Sequence, residues 1–215
     1  MSNITVFGVT GYVGGAITAE ARSRGHHVLG VARDTSAIQE GEGLTLRSGS
    51  IFDAAFVETA VQGADVVAIA LPGAPGEHGG LADAIPAILE AMQKAGARLG
   101  IVGGAGSLLA AEGGPRLIEV FEPPAELKAE IAGTAAVLER LRATDTPVDW
   151  FYLMPPTEFG AHVPGTRTGK FRVGGEVLLK DDAGESKISG ADFAIAFVDE
   201  IEKPAHQQSR FTVAY

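Results

Sequence analysis

Residues 4–15 read ITVFGVTGYVGG, and this stretch decides the fold. The apolar run Ile4–Val9 predicts a buried strand, and a helix is expected to begin near Tyr12 or Val13. In the turn between them and into the helix, glycines recur at a G-x-x-G-x-x-G spacing. A glycine triplet between a strand and a helix is typical of sites where the helix N-terminus faces a pyrophosphate. The stretch therefore predicts a dinucleotide-binding turn.

Each glycine of the triplet has a predicted role of its own. Gly8 allows the chain to leave the strand in a tight turn. Gly11 lacks a Cβ atom, so that a pyrophosphate can approach the backbone, and Gly14 allows the helix to pack closely on the sheet. The alternative is an ordinary strand–turn–helix corner that binds no ligand.

The rest of the chain alternates between apolar runs and amphipathic segments. Strands are predicted over residues 4–9, 27–32, 44–47, 65–71, 98–102 and 148–153, mostly with helices between them. Parallel βαβ units in a doubly wound sheet are the natural result of such alternation. We therefore predict a single α/β domain of the Rossmann-like type over residues 1–215.

The pattern changes after the sixth strand. Residues 155–187 are expected to form a small elaboration at the carboxyl edge of the sheet, on the substrate side. Within it, Lys170–Val173 and Val177–Lys180 predict a hairpin. A capping box at Ser189 and Asp192 then predicts a last helix, and a terminal strand is expected at the end of the chain.

Composition excludes several classes of function. The formal net charge is −10, which disfavours binding to nucleic acid and to anionic membranes. There is no cysteine, so disulfides and thiolate metal sites are excluded, and the five histidines lack metal-binding spacing. No apolar run approaches the about 18 residues of a membrane span, and no leader is predicted before the first strand. We therefore expect a cytoplasmic protein without a bound metal.

Several short motifs accompany the glycine triplet along the whole chain. They are GVTGYVGG (8–15), VARD (31–34), GSIFD (49–53), IALPG (69–73), IVGGAGSL (101–108), FYLMPP (151–156) and RFTVAY (210–215). Together they resemble the atypical short-chain dehydrogenase-like NAD(P)H-binding proteins. Within these, the chain is most similar to the NADH-flavin reductase group, which is related to biliverdin reductase B and to NmrA-like proteins.

The resemblance implies a set of cofactor contacts. Besides Gly8, it places Thr10, Gly11, Tyr12 and Val13 at the pyrophosphate, Arg33 beside the adenosine ribose, Ser50 and Ile51 at the adenine, Leu71 and Pro72 beside the bridging phosphates, and Gly103, Gly104 and Pro155 at the nicotinamide end.

The choice of nicotinamide cofactor depends on the residues that follow the second strand. An acidic residue about 20 positions past the glycines accepts the ribose hydroxyls of NAD, whereas a nearby arginine accommodates the 2′-phosphate of NADP. This sequence offers both, as Arg33 and Asp34. Arg33 comes first, and a guanidinium can hold a phosphate through two hydrogen bonds. We predict NADPH, with NADH as the alternative; the alternative for Arg33 is a solvated surface arginine.

The usual proton donor of short-chain dehydrogenases, a Tyr-x-x-x-Lys pair, is absent. The tyrosines are Tyr12, Tyr152 and Tyr215, and none has a lysine four positions later. Hydride transfer to a flavin or a quinone-like compound does not need this acid, because such an acceptor spreads the negative charge over its own rings. The sequence therefore favours a flat conjugated acceptor.

Two residues near the expected nicotinamide end are candidates for catalysis. Ser107 is a candidate donor to a substrate carbonyl, and Lys128 lies one turn into the following helix. The alternatives are a loop or capping serine and a solvated helix lysine. The glycines Gly103, Gly104 and Gly106 are expected to leave room over the nicotinamide.

Two functions stay open at this point. The first is an NAD(P)H-dependent reductase of a flavin or quinone-like small molecule. The second is a non-enzymatic, NmrA-like redox sensor that binds NADP(H) in the same pocket and acts through a protein partner. Both are compatible with a monomer or a homodimer.

Overall fold

The computed structural model describes residues 1–215, apart from the side chain at position 126. The described chain contains one sheet and six α-helices. The strands are β1 (Asn3–Phe7), β2 (His27–Ala32), β3 (Leu44–Ser48), β4 (Val66–Ile69), β5 (Arg98–Val102), β6 (Trp150–Met154), β7 (Arg172–Gly174) and β8 (Ser209–Ala214). The helices are α1 (Tyr12–Ser23), α2 (Ala54–Ala60), α3 (Leu81–Ala95), α4 (Leu117–Val120), α5 (Ala125–Ala143) and α6 (Gly190–Glu202).

The strand order confirms the predicted fold class. The sheet runs β3-β2-β1-β4-β5-β6-β8-β7, and only β7 is antiparallel to its neighbour. Its first six strands follow the order of a doubly wound dinucleotide-binding sheet, in which the direction of winding reverses between β1 and β4. The chain is therefore a single Rossmann-like α/β domain, and its ligands are expected at the carboxyl edge beside β1 and β4.

Helices cover both faces of the sheet, and each face has its own apolar core. On one face, α1 and α6 bury Ile17, Phe193 and Phe197 against the strands. On the other face, α3 and α5 contribute a second cluster that includes Ile88 and Leu138. The strands between them are apolar on both sides, as in other parallel sheets with two covered faces. The core fixes the strand ends from which the site is built.

Two local predictions need correction. The hairpin over residues 170–180 is wrong, because β7 pairs with β8, and Val177 forms a bridge with Leu109 instead. A tight two-residue hairpin needs positive φ angles, and neither Gly174 nor Gly175 has one. The capping box at the start of α6 is present only in part. Ser189 Oγ accepts the N–H of Asp192 as predicted, but the Ser189 N–H donates to the Tyr215 hydroxyl and not to Asp192.

The Asp192 carboxylate, the expected second half of that box, binds the substrate-side elaboration instead. It is fully buried and accepts hydrogen bonds from the backbone of Thr168 and Gly169 and from the Tyr215 hydroxyl. Burial raises the pKa of Asp192, but these hydrogen bonds lower it by more, so the net shift is downward. Asp192 therefore stays ionised and ties residues 168–169 to α6.

Candidate active site

The three glycines of the first turn have different surroundings. Gly8 has φ of +95°, and a Cβ atom there would lie 2.2 Å from the Ala70 carbonyl oxygen. A Cβ atom on Gly14 would lie 2.1 Å from the Gly8 carbonyl oxygen. At Gly11 the nearest atom is 3.3 Å away, and φ is −81°. The fold itself therefore requires Gly8 and Gly14, whereas a Cβ atom on Gly11 would meet only the Gly8 carbonyl oxygen, and Gly11 lines the cleft described below.

The start of α1 is arranged to receive an anion. Gly11 is the N-cap residue, no side chain caps the helix, and no acidic side chain lies in its first turn. The first N–H groups of a helix have no intrahelical acceptor, and the helix dipole adds a partial positive charge. These backbone groups fit the pyrophosphate of a dinucleotide.

The side chains of Tyr12 and Val13 have structural contacts. The Tyr12 hydroxyl donates to the Pro164 carbonyl oxygen at 2.9 Å and accepts the Gly190 N–H at 2.8 Å. Val13 packs against the apolar core under α1. Only the backbone of these two residues therefore remains for the predicted pyrophosphate contact.

A cleft with a cavity of about 420 Å³ runs along the carboxyl ends of β1 to β4. We name it the cofactor cleft. It brings together most of the predicted cofactor residues, although they come from four separate loops. Those that line it are Gly8, Thr10, Gly11, Arg33, Ser50, Ile51, Leu71 and Pro72.

Arg33 and Asp34 have different environments at the end of β2. Arg33 is exposed and lines the cofactor cleft. Asp34 accepts the Ser36 backbone N–H at 2.8 Å, and this hydrogen bond lowers the pKa of its carboxyl below the ordinary value. One oxygen of the carboxylate that would bind ribose hydroxyls of NAD is thus held in its own turn, and Asp34 does not line the cofactor cleft.

Sequence reasoning missed two aromatic residues of this cleft. Phe52 and His78 both line it, and their ring centroids lie 6.1 Å apart. Phe52 is 40% exposed, which is unusual for a phenylalanine and leaves its ring free to contact a base. His78 belongs to the loop after β4, and no spacing in the sequence pairs that loop with the residue after β3.

A second cavity, of about 750 Å³, lies at the carboxyl ends of β5 and β6. We name it the acceptor cavity. Its walls come mainly from glycine, proline and apolar side chains: Gly103, Gly104, Ala105, Gly106, Leu117, Ile118, Phe121, Pro123, Pro124, Leu127, Ile131, Pro155, Pro156, Phe159 and Leu178. Since β4 and β5 are neighbours, this cavity adjoins the cofactor cleft. Gly103, Gly104 and Pro155, predicted at the nicotinamide end, lie here.

The glycines after β5 have another role than the predicted one. A Cβ atom on Gly103 would lie 2.1 Å from the Tyr152 ring, and one on Gly106 would lie 2.3 Å from Ile131. At Gly104 it would lie 2.5 Å from the Thr134 hydroxyl. These glycines therefore allow the loop to pack on β6 and α5. The expectation that they are glycines in order to leave room over the nicotinamide is corrected, because their missing Cβ atoms would point at the protein core.

Glu130 connects the two cavities and was not predicted from the sequence. Its side chain is half-buried in the wall of the acceptor cavity. Its two carboxylate oxygens accept the N–H groups of Gly73 and Ala74, both at 2.9 Å. Next to this contact, a Cβ atom on Gly133 would lie 1.9 Å from the Gly73 carbonyl oxygen. Glu130 thus holds the loop after β4 against α5.

Neither predicted catalytic side chain lies in the wall of the acceptor cavity. Ser107 is 5% exposed, and its hydroxyl donates to the Gly104 carbonyl oxygen and contacts the Met154 sulfur, both at 3.3 Å. Lys128 is exposed and forms an ion pair with Glu122. A catalytic role for either residue stays a prediction, and the structure gives each side chain another contact.

Tyr152 is the tyrosine nearest to the acceptor cavity, but it belongs to the core. It is fully buried, and its hydroxyl donates to the Thr134 carbonyl oxygen at 2.8 Å. Burial raises its pKa far above the ordinary value. Tyr152 is therefore a packing residue and is held in its neutral form.

Two kinds of feature are absent from the residues that the structure describes. No cluster of three or more histidine, aspartate or glutamate side chains with the geometry to hold a metal ion occurs among them. None of the described helices combines the length and the apolar character that crossing a bilayer requires.

The strand order and the glycine turn define a class, the α/β proteins that bind a nicotinamide dinucleotide at the carboxyl edge of a parallel sheet. Residues 8–204 match the model of a protein family described as NAD(P)H-binding. The chain therefore belongs to this NAD(P)H-binding family, and the resemblance stated from its motifs is confirmed.

One similar sequence and two similar structures, which share this fold, differ in description. The uncharacterized protein YwnB of Bacillus subtilis is 34% identical over 212 residues, 98% of this chain and 97% of that protein. A Bacteroides thetaiotaomicron structure, provisionally described as an epimerase, is 33% identical with a TM-score of 0.86, covering 100% of this chain and 97% of that one. A Streptococcus pneumoniae structure, provisionally described as an NADH-flavin reductase, is 27% identical with a TM-score of 0.85, covering 100% of this chain and 99% of that one. The descriptions of the two structures name different reactions. The hydride acceptor of this protein therefore has to be inferred from the residues of the site.

Proposed function

We propose that this protein is an NADPH-dependent reductase that transfers a hydride to a flat conjugated acceptor, such as a flavin or a quinone. One observation carries the proposal: an apolar cavity of about 750 Å³ adjoins a cleft whose backbone fits a dinucleotide. Pockets of this size and character bury most of a small aromatic ligand. NADPH, when bound, supplies the hydride.

The cofactor is proposed to be held by backbone groups at one end and by one side chain at the other. The absence of a side chain at Gly11 and the uncapped start of α1 fit a pyrophosphate. Arg33 fits the 2′-phosphate, because its side chain lines the cleft at the end of β2, whereas Asp34 does not line the cleft and has one carboxylate oxygen engaged by Ser36. This arrangement favours NADPH over NADH.

The residues of the acceptor cavity contribute position and exclusion of water. Proline and apolar side chains form its walls, and its Thr134 hydroxyl already donates to backbone carbonyl oxygens of α5. Aligning two flat rings at contact distance removes much of the entropic part of the barrier. In each turnover, the acceptor would gain one hydride from NADPH and one proton from solvent, which leaves NADP⁺. No side chain has to supply the proton.

The proposal is tested by following NADPH absorbance anaerobically with a panel of flavins and quinones. We expect oxidation well above the rate without protein for at least one flat acceptor, and a slower rate with NADH. Simple aldehydes and ketones, which need a proton donor in the site, are the matched negative panel. Absence of turnover across the flavins and quinones would overturn the reductase proposal.

The redox sensor is the second candidate, and one observation favours it. Phe121 and Leu127, which line the acceptor cavity, are 58% and 50% exposed, and the adjacent Val120 is 58% exposed. Together they offer an apolar surface to a protein partner. A sensor should bind NADP⁺ and NADPH with different affinities and show no turnover with any acceptor. Titration of both cofactor forms, together with the panel above, separates the two functions.

A further inference from the structure

The acceptor cavity is apolar, but a single cation lies in its wall. Among its lining residues, Glu130 and Lys180 are the two ionisable ones. Glu130 is engaged on two backbone N–H groups of the loop after β4. Lys180 is therefore the charged lining residue whose side chain is available to contact a ligand.

Lys180 has no carboxylate partner among the described side chains, in a protein of net charge −10. Of the acids that follow it in the chain, Asp182 is exposed and forms no ion pair with Lys180, and the other two are engaged elsewhere. The Asp181 carboxylate accepts the backbone N–H groups of Ala183 and Glu185, both at 2.9 Å, and Glu185 forms an ion pair with Lys187. By contrast, Lys94 and Lys128 have carboxylate partners.

The backbone that carries Lys180 is anchored on both sides. The N–H of Leu178 donates to the Leu109 carbonyl oxygen at 2.9 Å, and the Lys180 carbonyl oxygen accepts from Arg172 at 2.7 Å. The next residue, Asp181, donates to the Glu185 carbonyl oxygen at 2.8 Å and closes a tight turn. Because this backbone is already ordered, a ligand that binds Lys180 has to order only the lysine side chain and not the loop.

From this arrangement we propose that Lys180 selects flat acceptors that carry an anionic substituent, such as a phosphate, over neutral acceptors with the same ring system. This inference rests on the proposed function, because it assigns the acceptor cavity to the acceptor. The apolar walls hold the ring, and Lys180 at the wall binds the charged group. An ammonium–phosphate contact is a charge-assisted hydrogen bond, stronger than a neutral one.

The test uses FMN and riboflavin, which share one ring system and differ in a terminal phosphate. Dissociation constants are measured by quenching of flavin fluorescence on protein saturated with NADP⁺, so no turnover is needed. We expect wild type to bind FMN about twofold to fivefold more tightly than riboflavin at low salt, because Lys180 is exposed and exposed charge pairs contribute up to about 1 kcal/mol. This difference should shrink as ionic strength rises.

Three variants test whether the preference for FMN over riboflavin depends on Lys180. Lys180→Gln should remove the preference for FMN and leave riboflavin binding unchanged, while Lys180→Arg should keep most of it. Lys170→Gln, an exposed lysine of the same elaboration that does not line the cavity, is the matched control and should behave as wild type. Equal binding of the two flavins by wild type, or no binding of either, overturns the inference. So does the same loss in Lys170→Gln.

The experiments distinguish a failure of this inference from a failure of the proposed function. A preference for FMN that depends on Lys180, without oxidation of NADPH, would remove the reductase and leave the anion site. Reduction of FMN and riboflavin with equal efficiency would keep the reductase and remove the role of Lys180.

Discussion

The two halves of the site are built in different ways. The cofactor cleft is formed by residues that directly follow β1 to β4, and its anion site consists of backbone N–H groups at the start of α1. The acceptor cavity takes its walls from segments far apart in sequence, at residues 103–106, 117–134, 155–159 and 178–184. An anion site made of backbone N–H groups is marked in the sequence by closely spaced glycines, whereas the apolar side chains that line the acceptor cavity form no recognisable motif. The comparison predicts that single substitutions act sharply in the first half and weakly in the second.

The largest expected effect is loss of the cofactor in Gly11→Val. The new side chain would occupy the space where the pyrophosphate meets the helix start, and removing a charge-assisted hydrogen bond costs about 1.5–3 kcal/mol. If the substitution removes two such hydrogen bonds, NADPH binding should weaken by about 100-fold or more. Isothermal titration measures the affinity, and activity should fall with it.

The unfolding temperature provides the control for Gly11→Val. Since a Cβ atom there meets only the Gly8 carbonyl oxygen at 3.3 Å, the fold should persist. Gly14→Ala is the matched opposite case: its Cβ atom would lie 2.1 Å from the same oxygen, so stability should fall. NADPH binding of wild-type strength by a folded Gly11→Val would show that the pyrophosphate lies elsewhere.

The next largest effect is expected for Arg33→Ala, which should change the affinity for NADPH but not that for NADH. Arg33→Ala should weaken NADPH binding by about 10- to 100-fold, the range for one hydrogen-bonded charge pair, and leave NADH nearly unchanged. Arg47→Ala is the control, because Arg47 is an exposed arginine at the end of β3 that does not line the cleft. Equal losses for both cofactors in Arg33→Ala would mean that this side chain does not contact the 2′-phosphate.

The same contrast explains what could be predicted from the sequence. The fold class could be predicted from the alternation of strands and helices. Most cofactor-cleft residues were implied by the family resemblance, whose motifs each stand at the end of one strand. The roles of Glu130, Phe52 and Lys180 could not be predicted, because each depends on which loops meet in space. The hairpin over residues 170–180 failed for the same reason: the sequence shows two short apolar runs, but not that β8 is the better partner for β7.

A smaller effect is expected where the two halves meet. Glu130→Gln keeps one acceptor oxygen and turns an NH₂ group toward the second backbone N–H, which leaves a partly buried donor unpaired. We expect the KM for NADPH and the KM for the acceptor to rise together, by about threefold to tenfold, with little change in kcat. Amide hydrogen exchange at Gly73 and Ala74 should become faster. Glu139→Gln, an exposed position of the same helix, is the control.

If Glu130→Gln changed the KM for the acceptor alone, the carboxylate would contact the acceptor directly. The loop after β4 would then not depend on it. An unchanged variant would show that the close contact between Gly73 and Gly133 is sufficient to hold the loop.

The smallest effects are expected in the acceptor half, for Ser107→Ala and Lys128→Ala. The Ser107 hydroxyl is directed at the Gly104 carbonyl oxygen and the Met154 sulfur, and Lys128 is paired with Glu122 outside the cavity wall. If the walls act by positioning the acceptor, each variant should keep kcat within about threefold of wild type, far below the about 10²-fold loss that marks a missing general acid. Single-turnover rates with saturating NADPH measure this. A 10²-fold loss in Ser107→Ala with NADPH affinity intact would instead assign a carbonyl substrate that needs a hydrogen-bond donor, because only such a substrate depends on one hydroxyl to that extent.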